Sequence, residues 1–124
     1  MTPRLTLTAA VLDTPDPRGL ARFYQRLLGW PLGSDHPDWA SVRPEGGGAG
    51  LSFQLEEKHV RPVWPAGDDD PRMQMHLDIE VDDLEVAVAD AIAAGATVAD
   101  YQPQDDVRVM LDPAGHPFCL YLGK

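Results

Sequence analysis

The clearest hydrophobic pattern in the chain lies in residues 75–96. Its first half alternates apolar residues (Met75, Leu77, Ile79, Val81) with polar ones (His76, Asp78, Glu80). Because successive side chains of a strand point to opposite faces, this alternation predicts a strand with one apolar and one polar face. Apolar residues then recur at helical spacing (Leu84, Val88, Ala91, Ile92). We expect this helix to open at Asp82 and Asp83, whose carboxylates can accept from free backbone N–H groups, and to end at Gly95.

The first half of the chain predicts the same elements. Alternation from Leu5 to Val11 indicates a strand. Asp16 can cap a helix that has Pro17 at its first position, and Gly29 ends that helix. Two alternating segments, 39–43 and 51–55, flank the glycine-rich turn at 45–48 and predict a hairpin.

The order of elements indicates an internal duplication. Short strands are also predicted at 97–101, 107–111 and 118–122, so that strand, helix, short strand and hairpin occur twice. Gly29 and Gly95 are 66 residues apart, as are Asp16 and Asp82. We therefore predict an α+β fold of two βαβββ modules, 4–56 and 75–124. Because neither module has enough apolar surface to stand alone, we expect them to pack as one domain, 1–124.

The segment between the modules, residues 57–74, is irregular. Its prolines and the Gly67–Asp70 stretch predict a loop rather than a buried strand or helix. Trp64 is unusual there: it either closes one end of a core or forms one wall of a pocket.

Charge and cysteine content narrow the possible partners. The formal net charge of −10 argues against binding nucleic acid or anionic membranes and would suit a cationic small molecule, although a solvated acidic surface has the same composition. Cys119 is the single cysteine, so the chain can form no internal disulfide. With no signal-like or membrane-spanning pattern either, we predict a cytoplasmic protein.

Four stretches resemble a known superfamily. They are residues 16–30, which end in FYQRLLGW, 76–84 (HLDIEVDDL), 94–96 and 112–121 (DPAGHPFCLY). Together they resemble the vicinal oxygen chelate superfamily, which includes glyoxalase I, bleomycin-resistance proteins and extradiol dioxygenases, and most of all its small glyoxalase-like domain proteins. The resemblance implies a curled mixed sheet around a concave cleft, with helices outside, and a homodimer. It leaves open whether the modules pair within one chain or swap between chains.

The resemblance also implies where metal ligands would lie. Metal-dependent members take His, Glu or Gln ligands from both modules, and His76 occupies one such position. Its counterpart in the first module is Thr8, Ala9 or Ala10, none of which is an ordinary ligand. The last-strand position is Cys119, with its counterpart near Ser52 and Gln54 next on the same face. We therefore expect no metal and no other cofactor.

Two functional hypotheses follow, beside the simpler possibility that His76 only forms hydrogen bonds in a cleft inherited from a metal-binding ancestor. The first is metal-independent binding of a small cationic or aromatic molecule, with aromatic walls and polar contacts supplied by one set of residues (Trp39, Phe53, Trp64, Gln54, His76, Asp78, Glu80). The second is an enzyme of lyase, isomerase or dioxygenase type. It would use a degenerate metal site at His76 or an acid–base pair of His76 and Glu80.

Overall fold

The structure, a computed structural model, describes residues 4–123. The chain divides into two compact units between His59 and Val60. One predicted module falls in each unit, and most of the predicted 57–74 loop belongs to the second. The outer ends of the predicted domain, residues 1–3 and 124, lie outside the described residues. That the units act as one domain stays a prediction.

The first unit is a four-stranded mixed sheet with one helix. Its elements are β1 (Ala9–Thr14), α1 (Pro17–Leu28), β2 (Leu32–His36), β3 (Trp39–Val42) and β4 (Gly50–Leu55). The strand order is β1-β4-β3-β2, with β1 and β4 parallel and the other pairs antiparallel.

The second unit repeats this plan. It contains β5 (Leu77–Val81), α2 (Leu84–Ala94), β6 (Thr97–Val98), β7 (Val107–Leu111) and β8 (Pro117–Leu122). The order β5-β8-β7-β6, with β5 parallel to β8, matches the first unit strand for strand. The predicted α+β fold of two βαβββ modules is confirmed.

The helix N-caps set the spacing of the duplication at 67 residues, because Asp16 accepts from the backbone of Gly19 and Asp83 from that of Val86. The strand registers are compatible with this spacing: Ala10 lies opposite Leu51 in the first unit, and Leu77 lies opposite Phe118 in the second. The expectation that Asp82 matches Asp16 was therefore wrong by one residue. The closing glycines are 66 apart because α1 has 12 residues and α2 has 11.

Several strand boundaries differ from the prediction. β1 begins at Ala9 rather than Leu5, because its partner β4 begins at Gly50; Leu5 and Leu7 are 89% and 78% exposed. β5 begins at Leu77, and the strand expected at 97–101 is limited to Thr97–Val98. The stretch Leu32–His36, for which the hydrophobic pattern gives no strand, forms β2 by pairing with β3.

The best-packed core lies between α1 and its sheet. Leu20, Phe23 and Tyr24 are buried on α1, at the spacing of one helical face. On the opposite side of α1, Arg18 and Arg22 both form ion pairs with Asp35, at 3.3 and 3.6 Å.

The second helix buries less of its surface than the first. Ala91 is fully buried, whereas Ile92, predicted to lie on the same buried face, is 50% exposed. Among residues 4–123, neither helix has the length and apolar character that crossing a membrane requires.

Candidate functional site

The sheet of the second unit has two chemically different faces. Leu77 and Ile79 lie beside Phe118 and Leu120, both of which are buried. The next residues along each strand point the opposite way, because side chains alternate along a strand. They carry the polar groups of what we call the open face, defined by five residues (His76, Asp78, Glu80, Cys119, Tyr121).

Strand register brings three potential ligand groups together on the open face. Asp78 lies directly opposite Cys119 on the neighbouring strand. His76 Nε2 lies 3.2 Å from Asp78 Oδ1. One ligand atom each from His76, Asp78 and Cys119 falls within 4.8 Å of the others. We call this set the open-face trio.

The environment keeps the Cys119 thiol in its neutral form. Burial raises the pKa of this thiol, and the negative charge of Asp78 raises it further. Because the thiolate is the reactive species of cysteine, Cys119 is a weak nucleophile at neutral pH. These surroundings differ from those of an activated cysteine nucleophile, whose pKa is lowered.

A cavity of about 540 Å³ opens over this face. Besides the trio, it is lined by Glu80, Asp106 and Tyr121, among other residues. Its size falls within the ordinary range for small-molecule sites, roughly 300–1,000 Å³. Among the described residues that line it, none is Lys or Arg, so the cavity has a strongly negative character.

Glu80 marks the boundary between this cavity and a second one. Its carboxylate lies against the backbone of Gly123, so that a side chain at position 123 would collide with it. Beyond Glu80, a cavity of about 870 Å³ lies at the start of α2, lined by Asp82, Asp83 and Asp90 together with apolar side chains. This larger cavity lacks the combination of imidazole, thiol and phenol that the first one holds.

The first unit presents a different open face. Tyr24 of α1 stacks on Phe53, with ring centroids 5.6 Å apart, so Phe53 faces the helix. Gln54 must then point to the other side, where its amide donates to Asp13 Oδ1 at 2.6 Å. Trp39 lies opposite Gln54 and is 37% exposed.

The sequence matches a known protein family over most of its length. A family profile described as "Glyoxalase-like domain" matches residues 9–121. The chain belongs to the glyoxalase-like domain family. It is thereby a member of the vicinal oxygen chelate superfamily, as the sequence motifs predicted. A search of curated proteins returned no significant match.

Solved structures share the fold of this glyoxalase-like protein at low identity. One is a glyoxalase/bleomycin resistance protein/dioxygenase family enzyme from Burkholderia phytofirmans PsJN, 20% identical, with a TM-score of 0.72 over 95% of this chain and 98% of the other. A glyoxalase-related enzyme from Fulvimarina pelagi is also 20% identical, with a TM-score of 0.68 over 95% and 88%. TnmS3, an antibiotic binding protein from Streptomyces sp. CB03234, is 20% identical, with a TM-score of 0.60 over all of both chains.

The metal positions implied by the superfamily differ between the two units. The 67-residue spacing makes Ala9 the counterpart of His76, and Ser52 the counterpart of Cys119. The open face of the first unit therefore carries no ordinary ligand at either position. In the second unit, by contrast, imidazole, carboxylate and thiol groups converge, and this donor set fits a borderline or soft metal ion.

The predicted site residues separate into distinct groups. His76, Asp78 and Glu80 share one cavity, whereas Trp39 and Gln54 lie together on the first unit. Phe53 differs from its predicted place on a ligand wall: it is fully buried under α1, on the face opposite Gln54. Trp64 contacts Tyr101 of the same unit, with ring centroids 5.7 Å apart.

Sequence reasoning also missed residues of the cavity. Tyr121 could have been found, because it lies two positions after Cys119 on the same strand and so shares its face. Asp106 precedes β7 in an irregular segment, where no periodic pattern indicates its direction.

Proposed function

We propose that this glyoxalase-like protein binds a small cationic organic molecule on the open face of the second unit, without needing a metal ion. The observation that carries the proposal is the 540 Å³ cavity whose lining combines His76 with Asp78, Glu80 and Asp106. The related antibiotic binding protein TnmS3 supports small-molecule binding as a use of this fold. We further expect a cytoplasmic homodimer that binds neither nucleic acid nor membranes.

The charge of the lining favours a cation over a neutral ligand. The three carboxylates have no Lys or Arg partner among the described lining residues, so an incoming ammonium group would supply the missing positive charge. Tyr121 adds an aromatic ring that can contact a quaternary or primary amine through its π face.

The contribution of one carboxylate to the binding of a cation can be estimated from Coulomb's law. A cation about 4 Å from a carboxylate gains about 1 kcal/mol in water and about 4 kcal/mol at an effective dielectric constant of 20. The Asp78 side chain is 63% exposed, which favours the lower figure. One carboxylate should therefore contribute about fivefold to affinity.

An enzymatic function is the second candidate, and it is favoured by the contact between His76 and Asp78. A carboxylate oxygen at 3.2 Å can orient the imidazole for proton transfer. Glu80, the acid–base partner expected from the sequence, lies four residues along the chain from His76. In an extended segment this separates their Cα atoms by about 13 Å. Asp78 is therefore the better-placed partner for proton transfer.

A ligand screen on metal-free protein tests binding. The protein is treated with EDTA, dialysed and screened by thermal shift against amines that are each paired with a neutral analogue of the same shape, such as benzyltrimethylammonium and neopentylbenzene. We expect the amine, but not its neutral partner, to raise the melting temperature, since a ligand selective for the native state stabilises it.

Two substitutions then locate the bound amine. Asp78→Asn should weaken binding of the amine about fivefold, as measured by isothermal titration calorimetry. Asp100→Asn, which makes the same change of charge at an exposed residue outside the cavity lining, should leave affinity within twofold. Equal effects from the two variants would contradict the proposed location, and equal shifts from charged and neutral partners would contradict a cationic ligand.

A further inference from the structure

We propose that the cation bound by this protein is an aliphatic diamine, such as 1,4-diaminobutane, which lies across Glu80 with one ammonium group in each of the two cavities that adjoin there. The inference rests on the proposed function and deepens it, since it names the class of amine. Three features carry it: the way the two cavities adjoin, the charges and apolar groups of their linings, and the spacing of the carboxylates along the chain.

The two cavities adjoin at the ends of β5 and β8. The 540 Å³ cavity over the open face and the 870 Å³ cavity at the start of α2 share Glu80, Leu122 and Gly123 in their linings. Gly123 has no side chain, and the Glu80 carboxylate occupies the space beside its backbone. A ligand held at Glu80 can therefore extend into both cavities.

The linings of both cavities are negative. Each cavity adds carboxylates of its own to that of Glu80 (Asp78 and Asp106 in the first, Asp82, Asp83 and Asp90 in the second). Among the described residues that line either cavity, none is Lys or Arg. A ligand with one positive charge offsets the carboxylates of one cavity, whereas a ligand with two positive charges offsets those of both.

Asp82 is the carboxylate of the second cavity that we assign to the ligand. Asp83 already accepts from the backbone of Val86 as the cap of α2. Asp82 is exposed and directly follows β5, so it lies on the same stretch of chain as Asp78 and Glu80.

The spacing of these carboxylates matches the length of a four-carbon diamine. Alternate residues of a strand have Cα atoms about 6.6 Å apart, which is the separation of Asp78 and Glu80 along β5. The Cα atom of Asp82 lies no more than about 7 Å beyond that of Glu80. An extended chain advances about 1.2 Å per bond, so the nitrogens of 1,4-diaminobutane stand about 6 Å apart. One ammonium group can thus lie between Asp78 and Glu80 while the other lies between Glu80 and Asp82.

The surface around Glu80 also suits a chain of methylene groups. Leu122 lines both cavities and is 39% exposed, and Val86 lines the second cavity and is 64% exposed. An alkyl chain that passes Glu80 covers part of this apolar surface, which separate inorganic cations do not. The site therefore combines two negative regions with apolar groups, as an aliphatic diamine combines two positive groups with methylenes.

A pair of ligands of equal length tests the second charge. Metal-free, ¹⁵N-labelled protein is titrated at low salt with 1,4-diaminobutane and with 4-aminobutan-1-ol, in which a hydroxyl group replaces one ammonium group. Amide chemical shifts give both the dissociation constant and the location. We expect the diamine to bind about fivefold more tightly, because its second ammonium group is tethered to the first and gains one exposed carboxylate. Only the diamine should shift amides around Asp82 and Val86, and added salt should reduce the difference in affinity.

Two substitutions with the same change of charge locate the second ammonium group. Asp82→Asn should weaken binding of the diamine about fivefold and leave that of the amino alcohol within twofold, because the single ammonium group stays on the open face. Asp100→Asn, at an exposed residue outside both linings, should leave both affinities within twofold. Far-UV circular dichroism confirms that each variant is folded.

The outcomes separate this inference from the proposed function. Equal affinities of the diamine and the amino alcohol, or equal effects of the two substitutions on the diamine, would overturn the inference. In either case, saturable binding of the amino alcohol on the open face would still support the proposed function. No saturable binding of these two amines or of any amine in the thermal-shift screen would overturn both.

Discussion

Replacing Phe53 by Leu distinguishes a core residue from a ligand-contacting one. The ring is fully buried and stacks on Tyr24 at 5.6 Å with an interplanar angle of 7°. Losing part of the buried apolar surface should cost about 1 kcal/mol, and losing the aromatic pair about another 1 kcal/mol. We therefore expect Phe53→Leu to lower the free energy of unfolding by about 2 kcal/mol and the melting temperature by roughly 8 °C.

Urea unfolding followed by circular dichroism measures this loss. The matched control is Gln54→Ala, at the adjacent residue on the opposite face, where one exposed hydrogen bond to Asp13 is lost at a cost of about 0.5 kcal/mol. Affinity for an amine found in the screen should not change in Phe53→Leu. A stability loss below about 0.5 kcal/mol together with weaker amine binding would refute the reasoning, because it would place the ring at a ligand surface.

Three further predictions concern the second unit. Asp78→Asn should speed alkylation of Cys119 by iodoacetamide at pH 8, because it removes the lesser of the two causes that raise the thiol pKa; an unchanged rate would contradict that electrostatic effect. Gly123→Ala should displace the Glu80 carboxylate that lies against it and weaken amine binding about as much as Glu80→Gln does, measured by calorimetry. Asp112→Ala should lower the free energy of unfolding in urea by about 2 kcal/mol or more, because it leaves two backbone N–H groups of the turn without their acceptor; a loss near zero would show that water replaces the carboxylate.

The pH dependence of stability provides a fifth prediction, again through Cys119. Its pKa is raised in the folded protein, so the unfolded chain loses the thiol proton first as pH rises. The thiol therefore favours the folded state fully below its unfolded pKa, and this contribution is lost as pH rises through that value towards the folded pKa. Cys119→Ser should flatten the fall in stability above about pH 8.5. An unchanged slope in urea unfolding would contradict the prediction.

The helices were predictable from sequence because the residues that begin and end them act on backbone groups close by in the chain. Asp16, Pro17 and Gly29 each act on backbone groups within a few residues of themselves. Strand limits depend on distant partners instead. Leu5 and Leu7 alternate as strand residues do, yet β1 begins only where β4 is available. The stretch Leu32–His36 contains few strand-favouring residues but pairs with β3.

The site was predictable in part for the same reason. Alternation alone placed His76, Asp78 and Glu80 on one face, and the structure keeps them there. The approach of Cys119 to Asp78 depends on the register between β5 and β8, which no local pattern contains. The prediction that Phe53 contacts a ligand rests on its aromatic character, but Phe53 and Gln54 are consecutive strand residues and cannot both line one face.

The most direct test of the central claim is amide chemical-shift mapping of the metal-free, ¹⁵N-labelled protein during titration with an amine from the screen. The account predicts that the largest shifts cluster on the open face of the second unit, around Asp78, Cys119 and Tyr121. Largest shifts around Trp39 and Gln54 of the first unit, or saturable binding that leaves the open face of the second unit unshifted, would contradict it.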